Sequence, residues 1–269
     1  MPHVPSFVPV SRERHGEQRW RPPTDWRFAA ERILAPLALA EIPRAALSLP
    51  IGLLREDGQV TPIALLGFEL GRNLLVDEAG RWLGPYVPAT FRGHPFALGA
   101  IESSSNLALC VDEGGDSVAE DAAEAFFKAD GELAPKLSAV FGFLKATWAS
   151  LEAARNAAAR LDAAGLLEPW PIVVRKAEGD ITITGINRIA EAKLGETDAE
   201  TLRRLAAAGD LSLAYCQLLS MQHLPRLGEL HQHHAAAAER LARTMKAALT
   251  VEEPLAFDWS SLGTPDSGH

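Results

Sequence analysis

One stretch of this chain, residues 134–164, carries a helical pattern from end to end and constrains the fold more than any other. Pro135 stands near its start and Gly165 directly after it, an arrangement that favours a helix between them. At 1.5 Å per residue, such a helix would extend about 45 Å. Small and apolar residues recur along it at a heptad-like spacing of three then four: Leu137, Val140, Leu144, Thr147, Leu151, Ala154, Ala158 and Leu161.

This heptad-like pattern has two interpretations. Its later positions are mostly alanine, which lets another helix approach closely, but it lacks the sustained large residues of a zipper. We therefore predict that the helix belongs to the core of its own domain. An intermolecular coiled coil is the alternative.

Residues 49–112 follow a different pattern, in which short apolar runs alternate with turn signals. Asp57-Gly58 between two apolar runs predicts a β-hairpin. The whole region predicts a sheet of four to six strands. A second hairpin is predicted around residues 177–180, which separate two runs rich in isoleucine, valine and threonine.

The C-terminal half is typical of helical structure. Thr197 and Glu200 have the spacing of a capping box, which predicts a helix that ends near Gly209. Residues 211–221 predict a buried helix, and residues 229–249 an alanine-rich one. The sequence thus predicts an α+β fold, in which a β-rich N-terminal half packs with a long central helix and a mostly helical C-terminal half.

The N-terminal segment is rich in proline and arginine, and residues 1–25 predict an extended arm. A short helix is predicted over residues 26–34. Pro36 is expected to open a second helix as its first residue, where a missing N–H costs nothing. Pro43 would then kink or end that helix.

The length of 269 residues is near the upper limit for a single hydrophobic core. After the arm, we expect one α+β domain over residues 26–250. Two intimately packed halves, residues 26–130 and 131–250, are the alternative. Residues 251–269 are short, polar and interrupted by proline and glycine, so we expect a disordered tail.

The formal net charge of −9 argues against a nucleic-acid partner, because phosphates attract lysine and arginine. The N-terminus lacks the apolar segment of a signal peptide, so we expect a cytoplasmic protein. No apolar run reaches the ~18 residues that a membrane span needs. Cys110 and Cys216 both lie in apolar runs and predict buried free thiols, although a disulfide between them stays open.

The segment that runs from Tyr86 to Phe96 combines aromatic residues with one fixed cation. Arg92 would supply the charge of a recognition surface, and Tyr86, Phe91 and Phe96 its apolar walls. Such a mixture suits a peptide or a carboxylate. A proline-shaped loop whose aromatic side chains fill the core is the alternative.

Three further residues are candidates for ligand binding or acid–base chemistry. His15 lies in a polar segment, where an imidazole can titrate near neutral pH or bind a ligand. Its alternative role is to pin the arm to the core through hydrogen bonds. Asp112 and Glu113, with Asp116, form an acidic cluster that suits proton transfer or a hard cation. A solvated turn is the alternative for that cluster.

His231 and His234 would lie on one face of a helix, but they lack the spacing of a helical zinc motif and a third ligand. We predict no bound metal and no cofactor, with these two histidines as the weaker alternative. Motifs for a nucleophile elbow, a P-loop and a dinucleotide site are all absent from the sequence.

A set of short motifs, spread over residues 7–228, resembles the SapC family, whose members are named for a link to bacterial surface layers. The motifs that carry the resemblance are HGEQRWRP, LPIGLLREDGQ, ALLGFELGRNLLVDEAGRW, YVPATFRGHPFAL, ALCVDE, FKADGEL and LLSMQHLPRL. Within the fourth motif the arginine, proline and phenylalanine positions match, whereas His94 stands where the family more often has an aromatic residue. His15 lies in an Arg-His pair similar to one in the family.

The resemblance implies an accessory protein of bacterial surface-layer or envelope systems, and it transfers no catalytic residues. Our first hypothesis is a non-enzymatic binding module for a protein or peptide partner. The alternative is a metal-dependent enzyme that acts on a peptide or amino acid. A structural surface-layer subunit is a third hypothesis, which would require export. The oligomeric state stays open.

Overall fold

The computed structural model describes residues 5–100, 107–174 and 179–249. By their internal contacts, residues 1–231 form one compact unit and residues 232–269 a second. The expected tail, residues 251–269, lies outside the described residues, and the expected domain boundaries stay a prediction.

Most strands lie in the N-terminal half and all of their pairings are antiparallel. Within the described residues the strands are β1 (Phe7–Pro9), β2 (Arg19–Trp20), β3 (Leu34–Pro36), β4 (Ile51–Glu56), β5 (Gln59–Leu65), β6 (Phe96–Ala100), β7 (Leu107–Asp112), β8 (Glu124–Ala125), β9 (Leu167–Pro169), β10 (Ile172–Val174), β11 (Ile181–Ile183) and β12 (Ile186–Ile189). The main sheet has the order β3-β5-β4-β12-β9, and a three-stranded sheet has the order β1-β7-β6.

Helices dominate the C-terminal half, which confirms the predicted α+β class. In the same part of the chain the α-helices are α1 (Arg12–His15), α2 (Ile42–Ala45), α3 (Ala89–Arg92), α4 (Pro135–Ala163), α5 (Glu191–Glu196), α6 (Ala199–Ala208), α7 (Asp210–Ser220) and α8 (Leu224–Leu249). Short 3₁₀ turns cover Arg27–Ala29, Leu39–Glu41 and Met221–His223. No helix that the structure describes is both long and apolar enough to cross a bilayer.

Both predicted hairpins are confirmed. Asp57 (φ 47°) and Gly58 (φ 76°) form the two-residue turn between β4 and β5. Positive φ at both positions matches the twist of the strands, and asparagine, aspartate and glycine tolerate it best. β10 and β11 pair as the second hairpin.

The long helix α4 is a core helix that contributes to two hydrophobic clusters. Its first half places Leu137 and Leu144 against β6 and β7. Its second half places Ala157, Ala158 and Leu161 against the main sheet and α7. Leucine side chains fill the contact made by the first half of α4, whereas alanine lets the second half approach its neighbours closely.

The prediction of a helix over residues 26–34 is wrong, and the helix predicted to open at Pro36 begins only at Leu39, as a 3₁₀ turn that continues into α2. The chain makes only the 3₁₀ turn Arg27–Ala29 and then enters β3, where Pro36 pairs with Ile63 of β5. β3 is the edge strand of the main sheet, where a residue without an N–H is tolerated. Pro43 lies in the first turn of α2, so it neither kinks nor ends that helix.

Two helix starts also differ from the prediction. Asp198, one residue after the predicted cap, caps α6 by accepting a hydrogen bond from the Thr201 backbone N–H at 2.9 Å. The Thr197 hydroxyl instead donates to the Lys193 carbonyl at 2.8 Å and closes α5. The last helix begins at Leu224 rather than at residue 229.

The N-terminal arm is not a free extension, because its residues join the sheets. β1 forms the outer strand beside β7, and β2 pairs with β8. Trp20 is buried and its ring meets that of Phe96 edge-on at 4.7 Å. The arm is therefore extended at both strands but helical over α1.

Candidate functional site

The end of α3 presents an exposed arginine above two aromatic rings. The Arg92 guanidinium lies 5.7 Å from the centre of the Tyr86 ring and 5.3 Å from that of Phe143 on α4. One of its nitrogens, Nη2, lies 3.4 Å from the Tyr86 hydroxyl oxygen. Contacts with two ring faces hold the plane of the guanidinium without consuming most of its N–H donors.

A second cation, Arg44, acts on the same tyrosine. Burial and the hydrogen bond to Glu41 raise the pKa of the Tyr86 phenol. The positive charges of Arg92 and Arg44 act in the opposite direction, so both guanidinium groups lie near that phenol. In the part of the chain that the structure describes, no carboxylate lies within 4.0 Å of either guanidinium. We call Tyr86, Arg92, Arg44 and Phe143 the Arg92 patch.

A buried carboxylate, that of Glu41, holds the Arg92 patch in place through hydrogen bonds. Glu41 is only 6% exposed. Its Oε1 accepts from the Ala38 N–H at 2.8 Å, and its Oε2 accepts from the Tyr86 hydroxyl at 2.6 Å and the Ala89 N–H at 2.8 Å. Glu41 therefore holds the tyrosine ring and the start of α3 together. We did not predict this role, although a lone acid in the apolar run LALAEIPRAAL is an available signal.

Phe91 and Phe96, the other expected walls of the recognition surface, lie in the core. The Phe91 ring meets that of Phe28 at 6.3 Å, and Phe96 packs against Trp20. Phe143 supplies the second aromatic face of the patch instead. Of the three aromatic residues predicted as walls, Phe91 and Phe96 thus lie in the core and only Tyr86 reaches the surface.

His94 also has a packing role. Its ring stacks on that of Phe28 with a centroid distance of 3.8 Å and an angle of 9°. A flat ring suits this stacking position.

His15 is completely buried and links the arm to the end of β7. Its Nδ1 lies 3.2 Å from the Ser11 backbone nitrogen and 3.3 Å from the Ser11 carbonyl oxygen, and its Nε2 lies 3.1 Å from Glu113 Oε1. Arg14 Nε donates to the same oxygen at 2.8 Å. This hydrogen bond from Arg14, assisted by its charge and by His15, holds the pKa of Glu113 below its usual value. These contacts match the alternative in which His15 pins the arm.

Asp112 caps a turn rather than joining Glu113 in a carboxylate pair. It is 1% exposed, and its Oδ1 accepts from the Ser6 N–H at 2.8 Å and the Gly114 N–H at 2.9 Å. Asp116 is exposed. The acidic cluster therefore divides into separate structural contacts.

His231 is 9% exposed and meets the Phe68 ring edge-on at 5.8 Å. His234 belongs to the second unit and is half-buried. Across residues 5–100, 107–174 and 179–249, no group of three or more His, Cys, Asp or Glu side chains is placed to hold a metal ion. The absence of a bound metal stays a prediction.

The two cysteines are free thiols, which excludes the disulfide alternative in this structure. Burial raises the pKa of both the Cys110 and the Cys216 thiol. Because the thiolate is the reactive form, neither cysteine is activated as a nucleophile.

The fold and the patch define an α+β protein with a fixed cationic surface on an otherwise acidic chain. A comparison with protein families identifies the chain further: the family model described as SapC matches residues 10–227. The chain therefore belongs to the SapC family, and the match includes α4 and the whole Arg92 patch. Comparisons with curated proteins and with solved structures found no match.

Proposed function

We propose that this protein is a non-enzymatic accessory protein that binds a carboxylate-bearing peptide or protein segment at the Arg92 patch. The observation that carries the proposal is the exposed Arg92 guanidinium, which rests on Tyr86 and Phe143 without a carboxylate within 4.0 Å in the described part of the chain. Nine other arginines in the described part of the chain pair with a carboxylate, for example Arg14, Arg55 and Arg81.

The geometry of the patch suits a carboxylate. A guanidinium donates two parallel hydrogen bonds that match the two oxygens of a carboxylate. The aromatic contacts hold its plane before a ligand arrives, which lowers the entropy cost of binding. Arg44 adds a second positive charge at the same surface.

The rings beside the cations favour a peptide over a small acid. Tyr86 and Phe143 are both half-buried, so each offers part of a flat apolar face next to Arg92. A peptide can place an acidic group on the guanidinium and an apolar side chain on these rings. Membership of the SapC family supports a partner in surface-layer or envelope systems.

The test compares Arg92→Lys with Arg81→Lys as a matched control. Arg81 is also exposed, but its guanidinium already pairs with Asp77, Nε to Oδ2, at 2.7 Å. Native partners would be captured from an extract of the source cells, and thermal melts would be recorded for each variant. We expect Arg92→Lys to bind its partners about tenfold more weakly with an unchanged Tm, because lysine cannot make two parallel hydrogen bonds.

The Arg81→Lys variant should keep both the partners and the Tm. If Arg92→Lys lowers the Tm and retains the partners, the patch serves only the architecture of the fold. That result would contradict the proposed function.

A further inference from the structure

A cleft of about 760 Å³ opens where the C-terminal end of α4 meets α5, α6 and the start of α7. This volume is within the range of ~300–1,000 Å³ that small-molecule sites occupy. Ala163 and Ala164 give the cleft an accessible apolar surface, whereas Leu166 and Leu205 in its lining are buried. No residue of the Arg92 patch lines it.

Part of the charge in this cleft is neutralised within the protein. Arg160 donates from Nε and Nη2 to the two oxygens of Asp210, each at 2.7 Å. Asp210 is fully buried, so this pair forms a fixed wall. Asp198 is occupied as the cap of α6, and the hydrogen bond from the Thr201 backbone N–H holds its pKa below the usual value.

Three charged side chains remain available to a ligand. Lys193, Arg204 and Glu196 all line the cleft. Among the residues that the structure describes, none of the three has an ion-pair partner within 4.0 Å, and Arg204 donates only to the Thr201 hydroxyl at 3.1 Å. The charge of Arg204 also helps to lower the pKa of Asp198, so Arg204 is partly balanced, and positive and negative groups face the same space.

The lining carries equal numbers of cationic and anionic side chains, so its net charge favours neither a simple anion nor a simple cation. A molecule that carries both charges can satisfy both kinds of group. The C-terminal end of α4, at Ala163 and Ala164, adds the negative end of a long helix dipole, which favours an ammonium group.

We propose that this cleft binds a small zwitterion of the amino-acid or dipeptide class. Lys193 and Arg204 bind its carboxylate, and Glu196 binds its ammonium group. The side chain of the ligand lies against Ala163 and Ala164. This site goes beyond the proposed function, because it uses none of the residues of the Arg92 patch.

The test is isothermal titration calorimetry of the full chain with alanyl-alanine as the probe. The N-acetylated and C-amidated forms of the dipeptide each remove one charge from the ligand and leave the protein unchanged. We expect saturable binding of the free dipeptide and at least about tenfold weaker binding of each blocked form, the scale of one lost charge-assisted hydrogen bond.

The protein variants are Arg204→Gln, Glu196→Gln and the control Arg203→Gln. Arg203 neighbours Arg204 on α6 but pairs with Glu200 and does not line the cleft. Arg204→Gln should weaken the free dipeptide about tenfold and leave the amidated form unaffected, whereas Arg203→Gln should change neither. The proposal is overturned if the free dipeptide does not bind saturably, if both blocked forms bind as tightly as the free one, or if Arg203→Gln weakens binding as much as Arg204→Gln.

Discussion

At the scale of single residues, the buried carboxylate of Glu41 holds Tyr86 of the Arg92 patch in place. Three donors converge on this carboxylate, from Ala38, Tyr86 and Ala89. A buried charge is tolerated only when hydrogen bonds replace its lost hydration. The position of Tyr86 under Arg92 therefore depends on an acid that comes from a different segment of the chain.

Glu113 makes the stability of the fold depend on pH. Its pKa in the folded protein is lowered, first by the hydrogen bond from Arg14, from a reference value of 4.5. The carboxylate therefore contributes stability above pH 4.5, and this contribution is lost as the pH falls through the lowered folded pKa.

We expect Glu113→Gln to have a lower unfolding free energy than the parent at neutral pH, because glutamine cannot pair ionically with Arg14. The difference should shrink as the pH falls below about 4.5. Urea denaturation of both proteins at several pH values measures it. A difference that stays constant with pH would show that the charge of Glu113 contributes nothing to stability.

At the scale of elements, the contact between α3 and α4 is close because Gly93 has no side chain. A Cβ built at Gly93 would lie 2.5 Å from Leu144 Cδ2 and 3.2 Å from the Phe96 carbonyl oxygen. Leu144 is 9% exposed and belongs to the cluster that α4 forms with β6 and β7. The short helix that ends in Arg92 is thus held directly against the long helix.

We expect Gly93→Ala to lower the unfolding free energy by about 1–3 kcal/mol through overpacking. Leu144→Ala should lower it by about 2–5 kcal/mol through loss of buried surface. The double variant should lose less than the sum, because the smaller residue 144 makes room for the new methyl group. Denaturation of all four proteins gives the coupling, and additivity within ~0.5 kcal/mol would contradict this contact.

At the scale of the whole molecule, elements with strong local signals could be predicted and those defined by distant partners could not. Pro135 and Gly165 mark the ends of α4 in the sequence itself, and Asp57-Gly58 marks its own turn. The segment after residue 26 is predicted to be helical, yet residues 34–36 pair with β5 as the edge strand of the main sheet. Pairing with a strand overrides such local preferences.

The same division explains what could be predicted of the candidate site. Arg92 and Tyr86 lie in one short segment whose composition predicts a recognition surface, and the structure places their side chains together. Arg44, Glu41 and Phe143 come from other segments, and nothing in their local sequence indicates that they meet. The sequence could not show that Phe91 and Phe96 lie in the core, because aromatic side chains are common both in cores and at binding surfaces.

The central claim is that Arg92 recognises a carboxylate, and NMR of the arginine side chains tests it most directly. The Arg92 Nε–H signal of the ¹⁵N-labelled protein, assigned with Arg92→Lys, would be followed during titration with an acetylated alanyl-phenylalanine and with its C-terminal amide. Acetylation removes the ammonium group, so the probe does not match the cleft at α6. We predict a saturable shift of the Arg92 signal with the free acid and none with the amide. Equal shifts with both peptides, or no shift with the acid, would contradict the account.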